Sequence, residues 1–393
     1  MRMTILFLFI TLSAFSGGKR YKITAESKEL IKAYNAFALK SYKALNAEGN
    51  TIYSPYSLAV LLHMTSTGAT DETLAEFQEL LGLNEANSDG IKGLLKYIAS
   101  RNKAGFESAQ AIAVQKDWPI KKAFTTKLEQ DFSSKIFSLD LRGDTEESVK
   151  IINAWIKEKT HGLLSNAIPE ESIRQTTALI LMNVSYFRGA WKTQFKVRNT
   201  RRKTFNLEDG RMVYTKTMHQ DSPAGAYLFQ DERMTALDLP FRKGMAMRFY
   251  LPKDMDTTMV SFEQSFKIKD LTEVKFHEKI SKLSLPKFKL QKTIPLIKIL
   301  KKLGLKKAFI QGEAQLGKIS EMPNYIVEVF QKAGIIVNEQ GAKAYSGSFG
   351  FDEDFSSEPM PFNLNRPFFF TIVDKPSGLI LFMGKVMNPK KTH

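Results

Sequence analysis

The sequence predicts an α+β fold, and three observations carry that expectation. Apolar residues recur at helical spacing through the first part of the chain. Strand-like apolar runs dominate the remainder. No Gly/Ser/Pro-rich linker and no internal repeat interrupts the 393 residues, so residues 17–393 are expected to form one domain.

Residues 1–16 read as a secretory signal. Arg2 gives the positive end, Ile5 to Leu12 the short apolar core, and Ala14 with Ser16 the small-x-small cleavage pattern. The run is too short to cross a bilayer, so secretion to the extracellular space is expected, with no membrane partner.

The helices come next. Glu26 to Ala47 carries Leu30, Ile31, Tyr34, Phe37, Ala38 and Leu45 at helical spacing. Ser54-Pro55 opens a second helix, with Ser expected as its cap and Pro at its first position. Leu58 to Met64 is nearly all apolar and should be buried. A third helix starts at Thr70 to Thr73, carries Leu74, Phe77, Leu80 and Leu81, and stops at Gly82. A fourth spans Glu146 to Thr160, with Val149, Ile152, Trp155 and Ile156 on one side and Gly162 ending it.

Strands follow. Ala178 to Phe187 is almost continuously apolar, as in a central strand covered on both faces. Asn183 stands inside it and needs buried hydrogen-bond partners. Its Asn-Val-Ser sequon is closed to a glycan by that position. Met245, Met247, Phe249 and Leu251 alternate, and Phe368 to Val373 and Leu379 to Val386 flank a turn at Lys375-Pro376-Ser377-Gly378.

The chain has no cysteine, which excludes disulfides, thiolate zinc sites and cysteine nucleophiles. Its histidines (His63, His161, His219, His277 and His393) form no close metal pair, and no nucleotide-binding glycine motif is present. Ser346-Gly347-Ser348-Phe349-Gly350 falls short of a nucleophile elbow, because Ser replaces the first Gly and the only downstream histidine is terminal. No metal and no enzyme chemistry is expected. The formal charge of +16 suits a sulfated polysaccharide or an acidic protein surface better than nucleic acid in a secreted chain. Plain solubility is the bland reading of the same charge. Two basic concentrations stand out: Arg198, Arg201, Arg202 and Lys203, and Lys298, Lys301, Lys302, Lys306 and Lys307, the latter in a helical-looking stretch.

The segment Glu339 to Phe362 is loop-like in its Gly and Ser content, yet it alternates. Ala342, Ala344, Ser346, Ser348 and Gly350 are all small, while Lys343, Tyr345, Gly347, Phe349 and Phe351 are mostly large. A period of two belongs to a strand with two unlike faces.

Motifs along the whole mature chain resemble the serpin family. Asn50-Thr51-Ile52-Tyr53-Ser54-Pro55-Tyr56-Ser57 resembles its N-x-x-x-S-P-x-S signature. Asn153-Ala154-Trp155-Ile156 with Thr160-His161-Gly162, Leu181-Met182-Asn183 with Tyr186 to Trp191, and Leu285-Pro286-Lys287-Phe288 resemble its middle motifs. Val337-Asn338-Glu339-Gln340-Gly341, Asn365-Arg366-Pro367-Phe368 and Phe382-Met383-Gly384-Lys385-Val386 resemble its closing ones. The pattern is similar to secreted insect-type serpins in particular.

The resemblance implies three β-sheets, about nine helices and an exposed reactive-centre loop at about residues 339–362. A target endopeptidase would cut the loop, whose first part would insert into the central sheet and trap the acylated protease. Glu339, Gly341, Ala342, Ala344, Ser346 and Ser348 would form the hinge. Ser54, Ser57, Asn183 and Gln331 would form the cluster where the sheet opens; many relatives carry His where this chain has Gln331. Lys287 would pair with Glu339 at the top of the sheet, near Trp191. The scissile bond falls at Phe355-Ser356 by one count and one residue later by another. Phe355 suits a chymotrypsin-like protease. Cleavage after Asp352, with Phe351 as anchor, would suit a papain-like or cathepsin L-like cysteine protease. A non-inhibitory carrier, chaperone or storage role is a further alternative. The family's geometry places Arg198, Arg201, Arg202 and Lys203 towards the loop-bearing end, as an exosite for an acidic protease or a glycosaminoglycan. A monomer needing no cofactor other than such a polysaccharide is expected.

Overall fold

A computed structural model describes residues 21–101, 104–164, 173, 179–341 and 360–391. The expected signal segment, the expected hinge residues Ala342, Ala344, Ser346 and Ser348, and the Phe355-Ser356 bond lie outside them.

The N-terminal part is helical. Helix α1 (Ala25–Leu45) starts where Thr24 Oγ1 accepts from the Ser27 N–H at 3.2 Å, and it ends at Asn46 in the left-handed conformation. Strand β1 (Thr51–Tyr53) leads into α2 (Pro55–Ser66), every residue of which is buried. Ser54 does occupy the position before α2, but its hydroxyl makes no capping bond; it reaches sideways into the core instead. Helix α3 (Asp71–Leu81) stops at Gly82, at φ 64°. Helices α4 (Gly90–Ala99) and α5 (Lys122–Phe132) surround strand β2 (Phe106–Gln115) in sequence, and β3 (Lys135–Leu139) follows. Helix α6 (Thr145–Lys159) is capped by Asp144, which accepts from the Glu147 N–H at 3.0 Å. Acids in its first turn and lysines in its last complement the helix dipole.

Strand β4 (Leu179–Phe187) is buried throughout, as its apolar run predicts. Then come β5 (Arg201–Asn206), β6 (Met212–Asp221), β7 (Tyr227–Gln230), β8 (Met234–Pro240) and β9 (Met245–Pro252). Short helices α7 (Met259–Ser265) and α8 (Lys269–Thr272) precede β10 (Glu278–Pro286) and β11 (Phe288–Pro295). Helix α9 (Ile297–Lys302) takes up part of the second basic concentration and precedes β12 (Glu328–Val337). After β13 (Met360–Asn363), β14 (Phe368–Asp374) and β15 (Leu379–Val386) form the expected hairpin, closed by the Gly378 N–H to Asp374 O bond of 2.8 Å.

Three sheets result. One has the order β11-β12-β4-β2-β3. A second runs β1-β15-β14-β9-β8-β7 and touches the start of β10. The rest of β10 turns away to pair with β6 and β13, and β5 closes that third sheet on the far side of β6. With nine α-helices among the described residues, this is the α+β architecture the sequence predicts.

The five-stranded sheet has a layer on each face. Leu181, Phe187, Val329, Ala333 and Ile335 join the main core with α2 and the second sheet. Ile180, Met182, Val184 and Phe330 pack on the other face with Ile152, Trp155 and Ile156 of α6. Successive residues of β4 and β12 therefore alternate between two apolar layers, which explains why these strands read as unbroken apolar runs.

Candidate functional site: the seam between β12 and β4

Strands β12 and β4 are neighbours and run parallel, with Glu328 opposite Ile180 and Ile335 opposite Phe187. Their outer neighbours, β11 and β2, are antiparallel to them. The β12–β4 pair is thus a seam where a further strand, running the other way, would be antiparallel on both sides.

Polar side chains meet beneath the middle of the seam. Gln331 and Asn183 are register partners, and both are fully buried. Gln331 Nε2 donates to Asn183 Oδ1 at 2.9 Å and to Ser54 O at 2.8 Å, while its Oε1 accepts from the Ser54 N–H at 2.7 Å. Asn183 Nδ2 donates to Ser57 O at 3.3 Å. Ser54 Oγ donates to Leu381 O at 2.8 Å, which commits its only proton. Ser57 therefore supplies the proton across the 2.8 Å between the two hydroxyls. Ser57 in turn accepts from Ser108 Oγ at 2.9 Å, and Ser108 from Gln110 Nε2 at 2.6 Å. The result is a one-way hydrogen-bond chain from β2 through α2 to β15. A chain of this kind polarises along its length and strengthens each member. The structure brings the four predicted residues Ser54, Ser57, Asn183 and Gln331 together, and adds Ser108 and Gln110, which no sequence motif marks.

A second arrangement closes the upper end of the seam. Lys287 Nζ lies 2.7 Å from Glu339 Oε2 and 2.9 Å from Oε1, and Thr200 Oγ1 donates to Oε1 at 2.8 Å. Burial opposes ionisation of Glu339, but the Lys287, backbone and Thr200 hydrogen bonds outweigh it and hold the carboxyl below its usual range. Trp191 is fully buried, stacks on Phe241 at 4.2 Å, and donates from Nε1 to Asn338 O at 2.9 Å.

Here the chain reverses. The Gly341 N–H donates to Asn338 O at 3.1 Å, and Gly341 forms antiparallel bridges to Asn338 on one side and Ala190 on the other. Its φ is 82°, and a Cβ there would meet Gly189 O at 2.3 Å and Trp191 N at 2.6 Å. Only glycine fits this position without a shift. Gly341 is therefore one residue of backbone already seated, in antiparallel sense, between the extensions of β12 and β4.

The basic residues divide. Arg198, Arg201, Arg202 and Lys203 are all exposed. Strand alternation puts Arg201 and Lys203 beside Thr217 and Thr215 on one face of β5–β6. Arg202 lies on the other face opposite Lys216, its guanidinium 5.3 Å from the Tyr214 ring centre. Among the described residues no group of three or more His, Asp or Glu is placed to hold a metal ion, and no helix is long and apolar enough to cross a membrane.

The site is a parallel seam over a buried polar cluster, with the following chain turned into its top. Comparison with known proteins gives its class. The family model described as "Serpin (serine protease inhibitor)" matches residues 32–389, and the chain belongs to this family. It is 30% identical to antithrombin-III of Homo sapiens over 382 residues, covering 92% of this chain and 82% of that protein. Serpin48, described as a highly specific serpin in the insect Tenebrio molitor, superposes with a TM-score of 0.80 at 26% identity, over 92% of this chain and 98% of that one. Native protease nexin-1 solved with heparin superposes with a TM-score of 0.81 at 24% identity, over 92% and 100% of the two chains.

Proposed function

We propose that the chain is a secreted inhibitor of an endopeptidase, working by cleavage of the segment 339–362 and insertion of its first part into the β12–β4 seam. The observation that carries this reading is the pair of antiparallel bridges at Gly341. Continued without a bulge, their register sets Ala344 between Ile335 and Phe187, and Ser346 between Ala333 and Ser185. Ser348 then falls between Gln331 and Asn183, and Gly350 between Val329 and Leu181. Phe187, Leu181, Ile335, Ala333 and Val329 all belong to the main core. The small residues of the alternating segment are thus the ones directed inward, and the position between Gln331 and Asn183 receives a serine. Lys343, Tyr345 and Phe349 take the α6 side.

Insertion replaces one parallel ladder, eight register pairs long, by two antiparallel ones. The net gain is about one ladder. At roughly 0.5–1.5 kcal/mol per hydrogen bond this releases on the order of 10 kcal/mol. The uncut form is then a kinetic trap, and cutting frees the strand to move. The bond chemistry is the protease's own, so the chain acts as a substrate that does not let go.

Phe355 offers a large ring for a chymotrypsin-like pocket, and a serine endopeptidase of that class is the target we assign. Phe351 offers an apolar anchor for a papain-like enzyme, the second reading, with the cut after Asp352. The exposed basic residues of β5 suit an acidic protease surface or a sulfated polysaccharide; heparin accompanies protease nexin-1, which shares the fold. The similar proteins include a human and an insect chain, and the insect-type character remains part of this proposal.

The test is to incubate residues 17–393 with chymotrypsin, elastase, trypsin and a cathepsin L-type enzyme. A covalent complex stable in SDS with chymotrypsin, and a released peptide starting at Ser356, is the expected result. Clean cleavage by all four enzymes with no complex, and no rise in melting temperature after nicking, would support the non-inhibitory reading instead.

A further inference from the structure

The third sheet has an unusual polar face. Along β6, Met218 is fully buried on one side, while Thr215, Thr217 and His219 take the other. Register sets Ser284 of β10 beside His219, and Asn363 of β13 beside Ser284. His219 Nδ1 lies 3.0 Å from Ser284 Oγ. Arg201 and Lys203 of β5 share this face through Thr217 and Thr215. The chain leaving β13 is tied to β10 by the Leu364 N–H to Ser284 O bond of 2.9 Å, and to β5 by the Asn206 N–H to Asn365 O bond of 2.8 Å.

These ties wall a cavity of about 230 Å3, bounded by Lys203, Thr217, His219, Ser284, Asn363 and Asn365. No Asp or Glu is among the described residues that line it. Beside the apolar Leu364, its lining offers an ammonium, three hydroxyls, an imidazole and two amides, all able to donate hydrogen bonds. The nearest acid on this face, Asp221, stands one alternation further along β6, opposite Lys282. Burial, with the charges of Lys203 and Arg201, holds the His219 ring below its usual pKa, as an electropositive cleft requires. The volume is several times the roughly 30 Å3 share of one water molecule. It has room for a sulfate group and part of the sugar that carries it.

We propose that this cavity binds a tetrahedral oxyanion, the sulfate ester of a sulfated saccharide or free phosphate or sulfate, through Lys203 and the donors of Thr217, Ser284, Asn363 and Asn365. The saccharide arm rests on the reading of the basic strand as a polysaccharide contact; it does not rest on the inhibitory reading. Arg201, exposed at the rim, extends the site for a longer chain, and β13 ties it to the end of the reactive segment.

Calorimetric titration of residues 17–393 with a heparin hexasaccharide, its desulfated counterpart, sodium sulfate and sodium phosphate tests it. One-to-one hexasaccharide binding is expected, weakened at least tenfold by Lys203→Gln and by Asn365→Asp, which puts a carboxylate into the cavity. Lys301→Gln, on the other basic concentration, should change affinity less than twofold. If sulfate and phosphate bind with the same dependence on Lys203 and Asn365, and the hexasaccharide no more tightly, the site serves a free anion. Absence of binding by all probes, or equal weakening by Lys301→Gln, overturns the proposal. Melting without ligand checks that each variant folds, and exposed Lys203 carries the test should Asn365→Asp fail. Protease complex formation by the wild type is scored separately, so loss of that activity leaves this result standing.

Discussion

Gln331 and Asn183 stand opposite each other across the β12–β4 seam, joined by a 2.9 Å hydrogen bond, and both are fully buried. A strand entering between them, as proposed above, would have to break this contact. Asn183→Ala should leave the Gln331 amide short of a buried acceptor, at a cost of about 1–3 kcal/mol. The expected outcome is a lower melting temperature of the intact protein. An unchanged midpoint would show that the seam is held elsewhere.

Gly341→Ala puts a methyl group 2.3 Å from Gly189 O at a φ of 82°. The turn must shift, and insertion loses its starting register. Cleavage of the loop should continue at the wild-type rate, while the yield of covalent complex falls several-fold on a denaturing gel. Undiminished complex would mean that the register is set further along the segment.

Ala344→Glu carries a carboxylate onto the inward face, next to Ile335 and Phe187 in the register argued above. Burying an unpaired charge costs several kcal/mol. This variant should behave as a plain substrate, cut but not retained. Full complex yield would refute the facing assigned to the small residues.

Ser348→Val separates the two states. In the intact protein the seam is already satisfied by Gln331 and Asn183, so the melting temperature should stay within a degree or so. After nicking, the inserted valine leaves both amides short of a partner, at roughly 1–3 kcal/mol. Differential scanning of intact and nicked samples measures the contrast; an equal loss in both would break the argument.

The Glu339–Lys287 pair gives a pH signature. Glu339 has a folded pKa below the ordinary 4.5, so its contribution is present above the unfolded pKa and lost as pH falls through the folded one. Lys287→Met should lower the melting temperature at pH 7, and the gap from wild type should narrow as pH falls below 4.5 and close once Glu339 is protonated in the folded protein. A gap that persists at low pH would assign the loss to packing of the lysine stem.

Much of the architecture is legible locally. The stop at Gly82, the buried run of β4 and the β14–β15 turn follow from residue chemistry within a few positions. Helix α4 is missed although Ile91, Leu94, Leu95 and Ile98 sit at helical spacing. Gly90 and Gly93 obscure it. They are there because a Cβ on Gly90 would meet the Glu26 backbone at 2.6 Å, and one on Gly93 the Ser27 hydroxyl at 2.7 Å. The seam is harder. Gln331 and Asn183 are 148 residues apart and Lys287 and Glu339 are 52 apart, so only a family pattern connects them. Thr200, Ser108 and Gln110 carry no local signal at all. The basic cluster shows the opposite limit: Arg201, Arg202 and Lys203, adjacent in sequence, are parted by the pleat of one strand.

Trp191 also gives the molecule an optical gauge. Its indole is sealed from water, lies face to face with Phe241, and hangs by Nε1 from the carbonyl of Asn338, three residues before the seated Gly341. Of the three tryptophans, Trp155 packs from α6 onto the five-stranded sheet and Trp118 stands beside Arg142. Any strand drawn down the seam tugs first at the carbonyl that Trp191 holds. The colour and intensity of its emission should therefore change at the moment the strand starts to move. A stopped-flow trace of an otherwise tryptophan-free variant would time that step directly, without any label.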